Sequence, residues 1–181
     1  MNVKETKLKG CFIIEPTIFK DKRGYFVESF NQKRFNEALD IDINFVQDNE
    51  SQSSKGVLRG LHYQLGKHAQ AKLVRVIKGS VLDVVVDLRP KSLTYGKHFS
   101  IELSEQNKTQ LFIPRGFAHA FLVLEDHTIF SYKCDNFYNK ESEAGIIYND
   151  PELGIDWNCN TEELIISDKD LVLPTLKNAQ L

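Results

Sequence analysis

Val57-Leu58-Arg59-Gly60-Leu61-His62-Tyr63-Gln64 is the stretch around which the chain is organised. Val57, Leu58, Leu61 and Tyr63 give it the apolar, β-favouring composition of a buried strand. Arg59 and His62 interrupt that run with two groups that are costly to bury without partners. They stand an odd number of residues apart, so a regular strand sends them to opposite faces. Gly60 between them can adopt a bulge, which breaks the alternation and swings Arg59 toward the space His62 faces. A solitary His on such a strand is ordinarily a hydrogen-bonded core residue, and a solitary Arg a solvated edge group. Residues further along the chain tilt the balance toward a site.

Upstream, Cys11 to Ile14 reads as a short strand stopped by Glu15-Pro16, and Asp21-Lys22-Arg23-Gly24 as a charged turn before a strand from Tyr25 to Phe30. Asn31 is placed to cap a helix over Gln32 to Leu39, with Phe35, Ala38 and Leu39 on one face. Phe45-Val46-Gln47-Asp48-Asn49 is strand-like but carries the amides and acids that bind ligands, and Ser51 to Ser54 reads as a turn. Downstream, strands are expected at Lys72–Ile77, Val81–Leu88, His98–Leu103, Thr109–Ile113, Ala118–Leu124 and Thr128–Cys134. In the first of these Lys72, Val74 and Val76 share a face. In the second Asp83 and Asp87 lie opposite Leu82, Val84, Val86 and Leu88. Many short strands, turns between them and almost no helix make an all-β sandwich or barrel. Strand signals thin out beyond Asn149, where Trp157 and Leu164 to Ile166 are expected to pack a C-terminal extension on the barrel.

A chain of 181 residues without repeats, low-complexity tracts or linkers suits one domain over 1–181, able to bury about 70% of its unfolded surface. The net charge of -2 implies no basic face and so no nucleic-acid or polybasic membrane role. Cys11, Cys134 and Cys159 are odd in number and far apart, forming neither a disulfide framework nor a zinc pattern. With no apolar core in Met1 to Lys7 and no run able to span a bilayer, a cytoplasmic protein is expected.

Pro114-Arg115-Gly116-Phe117-Ala118-His119 makes a tight turn that delivers His119 into the next strand. Its Pro-x-Gly-x-x-His spacing resembles the second half of the cupin signature, a jelly-roll family whose metal-binding members use that His as a ligand. The first half is missing, since no His-x-His and no following Glu surround His62, and Lys72 stands where a carboxylate would be wanted. An ammonium there repels a divalent cation, so the reading is a jelly roll with no metal. A His and a Lys in one metal-free cavity suit proton transfer near neutrality, the Lys stabilising an oxyanion. An orienting carboxylate for His62 could come from Ser167-Asp168-Lys169-Asp170 or from Asp83, and Tyr132 could serve as a phenolic acid.

Together these stretches resemble the dTDP-4-dehydrorhamnose 3,5-epimerase family. The likeness covers nearly the whole chain. It rests on Asp21 to Gly24, Phe45 to Asn49, Leu58 to His62, Lys72 to Arg75, Pro114 to His119, Tyr132-Lys133, Tyr138, Asn149-Asp150-Pro151 and Ser167 to Asp170. It implies a cupin-type jelly-roll barrel with short flanking helices. His62 would be the base beside a 4-keto group, Asp170 its dyad partner, Lys72 the stabiliser of the enolate oxygen and Tyr132 the acid on the opposite face. The substrate would be a dTDP-linked sugar, contacted by Phe19, Arg23, Glu28, Gln47, Asn49, Arg59, His119, Tyr138, Glu143 and Lys169. Arg suits the diphosphate and amides suit the pyrimidine edge. No cofactor is implied, which agrees with the lack of a Gly-rich dinucleotide fingerprint. A homodimer with strand exchange near the N-terminus is implied as well, with Arg23 and its neighbours reaching the partner's site. Three rivals remain: a narrower epimerase acting at carbon 3 only or on another nucleotide sugar, a non-catalytic sugar-nucleotide-binding jelly roll, and a metal-dependent cupin oxygenase.

Overall fold

The structure, a computed structural model, describes residues 1–181. In chain order its first elements are β1 (Asn2–Glu5), β2 (Phe12–Glu15), β3 (Ile18–Asp21), β4 (Gly24–Val27), α1 (Gln32–Leu39), β5 (Gln47–Ser53) and β6 (Leu58–Gln64). There follow β7 (Lys72–Lys78), β8 (Ser80–Asp87), β9 (His98–Ser104), β10 (Gln110–Ile113), β11 (Phe117–Val123), β12 (Thr128–Cys134), β13 (Glu143–Gly145) and α2 (Asp168–Leu171). A six-stranded antiparallel sheet in the order β1-β2-β10-β7-β12-β5 faces a five-stranded one in the order β13-β6-β11-β8-β9. This is the cupin-type jelly roll expected from the sequence.

Three apolar layers hold the sheets. Between them lie Val74, Val76, Leu111 and Phe130 from one sheet and Val81, Val85, Phe117 and Phe121 from the other. The Phe121 and Phe130 rings stack across the gap, 4.1 Å between centroids. On the outer face of the five-stranded sheet, Leu58, Leu61, Val84 and Val86 are covered by Leu153, Trp157 and Leu176 of the C-terminal extension. On the outer face of the six-stranded sheet, α1 presses Phe35 and Leu39 onto Ile14, Leu73 and Phe112. Period-two alternation sends Val84 and Val86 of β8 to the outer layer and Val81 and Val85 to the inner one, and on β7 sends Leu73 outward and Val74 and Val76 inward.

The helix starts and stops as expected. The Asn31 side chain accepts a hydrogen bond from the Arg34 amide at 3.1 Å, and Asp40 closes the last turn in the left-handed region. Ala38, expected on the buried face, is exposed, because the contact stripe is only Phe35 and Leu39 wide. Ser51 to Ser54 is not a turn: β5 continues through Ser53, paired residue for residue with β12. The strand expected over Tyr25 to Phe30 stops at Val27, where the β3–β4 ribbon ends. Phe45 and Val46 precede β5 rather than begin it.

The bulge expected at Gly60 is present. His62 pairs with His119 and Arg59 with Phe121, so three steps along β6 match two along β11. Gly60 has φ +121, and a Cβ there would stand 2.6 Å from both the Ala120 Cβ and the His119 carbonyl oxygen. Replacing it by alanine is expected to cost about 3 kcal/mol from backbone strain and overpacking together. Urea denaturation of Gly60→Ala checks this: a clear fall in the midpoint is expected, and an unchanged midpoint would mean that the bulge tolerates a side chain.

Candidate active site

β6 has an incomplete outer edge, and the site grows from that gap. At one end the Leu58 amide donates to the Ile165 carbonyl at 3.0 Å, and at the other the Leu61 amide donates to Ile146 at 3.2 Å before β13 takes over at His62 to Gln64. Between them the Gly60 amide faces no strand and donates instead to Asp170 Oδ2 at 3.3 Å. Asp170 enters this gap on α2, whose cap Ser167 accepts the Asp170 amide hydrogen bond at 3.2 Å. The second oxygen, Oδ1, accepts from His62 Nε2 at 2.7 Å. Asp170 is buried, which raises a carboxyl pKa, but the hydrogen bonds from His62, Gly60 and Ser167 outweigh burial and hold it below the usual range. An ionised carboxylate only accepts, so the imidazole proton sits on Nε2. Nδ1 is left as the lone-pair nitrogen, with no protein partner.

A cavity of about 650 Å³ opens in front of His62. Arg59, His62, His119 and Phe121 line it from the five-stranded sheet. Asn49, Lys72 and Tyr132 line it from the facing sheet, and Asp170 and Lys169 from the extension. His62 therefore stands on one wall and Tyr132 with Lys72 on the other. Tyr132 and Val74 pair across β12 and β7, two residues along from Cys134 and Lys72, so the phenol and the ammonium share a face. Lys72 Nζ lies 5.7 Å from the centre of the Tyr132 ring. Neither the Lys72 amine nor the Tyr132 hydroxyl has a protein hydrogen-bond partner. Burial pulls the Lys72 pKa down, opposed by Cys134, Asp83 and Glu143, and burial raises that of Tyr132.

His119 sits deeper, 7% exposed, with Nε2 at 2.9 Å from Asp83 Oδ2. Burial lowers its pKa against the pull of Asp83. Of the two carboxylates weighed for His62, the structure places Asp170 against it and gives Asp83 to His119. No group of three or more His, Cys, Asp or Glu side chains is arranged to hold a metal ion.

A second hollow of about 270 Å³ adjoins the first through His62, Lys72 and Tyr132, and is lined by Gln47, Asn49, Tyr138 and Glu143. The Tyr138 hydroxyl donates to Glu143 at 2.8 Å, and Lys169 Nζ reaches the same carboxylate at 2.5 Å. Burial raises the Glu143 pKa, but these two contacts carry it below the ordinary range. Three expected contacts are not brought to this place within one chain. Phe19 and Glu28 line a separate cavity beside Phe35, and Arg23 lies at the tip of the β3–β4 ribbon, paired with Asp21. On the β3–β4 ribbon Phe19 and Phe26 pair with each other and are 62% and 67% exposed.

Some neighbours escaped the sequence reading. Ser53 Oγ accepts from the Arg59 guanidinium at 3.2 and 3.4 Å, and Phe121 forms the back wall. Only Ser167 carried a local signal, a hydroxyl three residues ahead of an acid, as in a helix cap. A carboxylate whose folded pKa is depressed stabilises the fold fully above its unfolded value and loses that contribution as pH falls through the folded value. Asp170 is such a group. From about pH 5 downward through the depressed folded value, Asp170→Asn is therefore expected to show a shallower fall in Tm than the parent chain; parallel curves would mean that Asp170 is not held ionised.

The family model described as dTDP-4-dehydrorhamnose 3,5-epimerase matches residues 5–178. The dTDP-4-dehydrorhamnose 3,5-epimerase of Escherichia coli strain K12 is 53% identical over 176 residues, covering 97% of this chain and 95% of that protein. The crystal structure of dTDP-4-dehydrorhamnose 3,5-epimerase from Elizabethkingia anophelis NUHP1 superposes with a TM-score of 0.95 at 56% identity, covering 98% of this chain and 97% of that one. The dTDP-6-deoxy-D-glucose-3,5-epimerase of Legionella pneumophila Philadelphia 1, in complex with dTDP-4-keto-L-rhamnose, gives 0.94 at 48% identity over 98% and 93% of the two chains. With the profile spanning nearly every residue and relatives this close along their whole length, the chain belongs to the dTDP-4-dehydrorhamnose 3,5-epimerase family.

Proposed function

We propose that this chain is an isomerase that inverts carbons 3 and 5 of dTDP-4-dehydro-6-deoxy-D-glucose, giving dTDP-4-dehydro-L-rhamnose. The observation that carries the reading is the pair of facing walls: an imidazole with a free Nδ1 on one, a phenol and an ammonium on the other, around one cavity. A carbon beside a ketone is acidic because its carbanion is an enolate. His62 Nδ1 takes that proton, and Asp170 favours the imidazolium that forms. The negative charge moves to the carbonyl oxygen, where Lys72 stabilises it. Tyr132 then gives its proton to the opposite face of the carbon, inverting it. Proton exchange with solvent restores both groups, and the same cycle serves the other carbon. Nothing is oxidised or reduced, so the chemistry calls for no redox cofactor.

Around this centre, Arg59 and Lys169 offer cations to the diphosphate, and Gln47, Asn49, Tyr138 and Glu143 form a second hollow of a size for the nucleoside. His119 is a donor to the sugar. A substrate of this class belongs to the cytoplasm, and no helix is long and apolar enough to cross a membrane. The ribbon completes the picture from a second copy. Its exposed Phe19, Tyr25 and Phe26 suit an interface, and Phe19, Arg23 and Glu28 would enter the partner's nucleotide site by strand exchange.

Two experiments test this reading. Incubation with the keto-sugar nucleotide in heavy water is expected to place deuterium at both carbons by NMR, and His62→Ala is expected to lower turnover by about 10²–10⁴-fold. Label at carbon 3 alone would leave the narrower epimerase, binding without exchange would leave a non-catalytic module, and near-parental turnover of the variant would remove His62 as the base. For the dimer, Arg23→Ala and His62→Ala chains are each expected to be impaired but to regain activity when unfolded and refolded as a mixture. The mixed dimer holds one site with both residues intact. Additive residual activities, with no recovery, would place Arg23 outside the partner's site.

A further inference from the structure

Asn149-Asp150-Pro151 belongs to the resemblance but has no part in the chemistry above. Asp150 is nevertheless a buried carboxylate, 2% exposed, with both oxygens engaged. Oδ1 accepts the Glu152 and Leu153 amides at 2.8 and 3.0 Å, holding its own turn. Oδ2 reaches across 26 residues and accepts the Leu176 amide at 2.7 Å. Leu176 lies just beyond Asp170, on the segment that returns from α2 over the outer face of the five-stranded sheet.

That return segment is what keeps α2 in the gap of β6. Ahead of α2, Ile165 is bridged to Val57. Behind it, Leu173 packs where a Cβ on Gly145 would stand, and the Ile147 amide donates to Pro174 at 2.9 Å. Asp150 then captures Leu176, and the Tyr63 hydroxyl donates to the Gln180 carbonyl at 2.6 Å. Of these anchors only Asp150 is a buried ionisable group, and a charge-assisted hydrogen bond is worth roughly twice a neutral one. Leu153 and Leu176, the residues it ties together, pack on Leu58 and Leu61 of the strand that carries His62.

We propose that Asp150 is a positioning residue of the site: through the Leu176 amide it fixes the chain behind α2 and so holds the Asp170 carboxylate on His62. The proposal rests on the epimerase reading for its effect on turnover, but the geometry it asserts can be tested without turnover. The charged and titratable groups around His62 are Arg59 on its own strand, Asp170 from α2, His119 from β11, Glu143 from β13, Glu50 from β5, Tyr132 from β12, Tyr138, and Lys72 and Lys169 lining the cavity. A change at Asp150 touches none of them directly.

Asp150→Asn keeps an oxygen for the local turn and loses the acceptor for Leu176. Leu176→Pro removes the same amide from the other side, at a first helical position preceded by an extended Thr175, where proline fits. Leu176→Ala keeps the amide and loses only packing. The Nε2–H proton of His62, held downfield by its hydrogen bond to Asp170 and followed by NMR with His62→Ala assigning the signal, is the direct readout. In Asp150→Asn and Leu176→Pro that signal is expected to weaken and move toward its state in Asp170→Asn, and in Leu176→Ala to stay at the parental position. kcat is expected to drop about tenfold to a hundredfold with KM little changed, the cost of misplacing a catalytic group by a fraction of an ångström. Asp150→Asn combined with Asp170→Asn is expected to be no slower than Asp170→Asn alone. A parental His62 N–H signal in folded Asp150→Asn, or a fully additive double variant, would overturn the proposal and leave Asp150 a purely structural clasp. If Asp150→Asn does not fold, the contrast between Leu176→Pro and Leu176→Ala decides alone: equal His62 N–H signals overturn the proposal. An inactive parent chain with the expected N–H signals would instead sink the epimerase reading and keep the positioning role of Asp150.

Discussion

A backbone amide in the middle of a sheet edge must find an acceptor, and at Gly60 that acceptor is a carboxylate from the far end of the chain. The whole site follows from this substitution. Because β13 pairs only with His62 to Gln64, and Ile165 only with Val57, β6 is left with one unmatched donor between them. Asp170 fills the place a strand carbonyl would have taken. A carbonyl has one oxygen; a carboxylate has a second, and here it meets His62. The same group thus completes the sheet and sets the tautomer of the imidazole. An apolar residue at 170 would leave both the Gly60 amide and the His62 N–H without partners.

The bulge beside it answers a related demand. His62 and Arg59, three residues apart on a strand, line one cavity, which regular pleating forbids. Gly60 absorbs the extra residue in a conformation L side chains avoid, close enough to β11 that no Cβ fits. Opposite, the six-stranded sheet needs no such device. Lys72 and Tyr132 lie on adjacent strands with their side chains on one face, so ordinary pairing presents both. Rigid sheets therefore carry three of the four central groups, while the fourth, Asp170, sits on a wrapped extension that needs its own anchors. Precision on that extension has to be built from hydrogen bonds and packing behind it.

How much of this could be read from residues alone depended on the range of the interaction. Asn31 and the spacing of Phe35 and Leu39 are local, and α1 came out with its true ends. Alternation along Thr128 to Cys134 is local too, and β12 matches it. Ser51 to Ser54 has turn composition, yet pairing with β12 makes Ser51 to Ser53 strand, because a ladder partner outweighs propensity. Glu143-Ala144-Gly145 and Asn2 to Glu5 carry no β pattern at all and are strands only because an edge stands next to them. His62 and Asp170 meet across 108 residues, so no spacing rule could choose between Asp170 and Asp83; only the family likeness pointed to one of them. Asp83, on a strand two places away in the same sheet, looks equally eligible until β11 is found between them, with His119 taking its carboxylate. The placement of Phe19, Arg23 and Glu28 away from the cavity could be read only from the family likeness, which implied that Arg23 and its neighbours reach a partner's site. Their ribbon pairs only with itself, so nothing local announces that use.

Lys72 shows why this jelly roll suits acid–base chemistry rather than a divalent cation. Its amine projects into a space lined by two imidazoles and puts a positive charge where a ligand carboxylate would be wanted, and no group of three or more His, Cys, Asp or Glu side chains is arranged there to hold an ion. In the open cavity the ammonium is poorly placed: desolvation depresses its pKa and no carboxylate touches it. A ketone oxygen arriving there gives it a dipole, and an enolate oxygen gives it a full opposite charge. The interaction is therefore weak before proton removal and strong during it, which is the condition for lowering a barrier rather than tightening the ground state. A carboxylate partner fixed on Lys72 would stabilise the resting protein and erase that difference. In the proposed mechanism the missing partner at Lys72 is the counterpart of the hydrogen bond present at His62: the base is held before the reaction begins, and the ammonium is left wanting until it does.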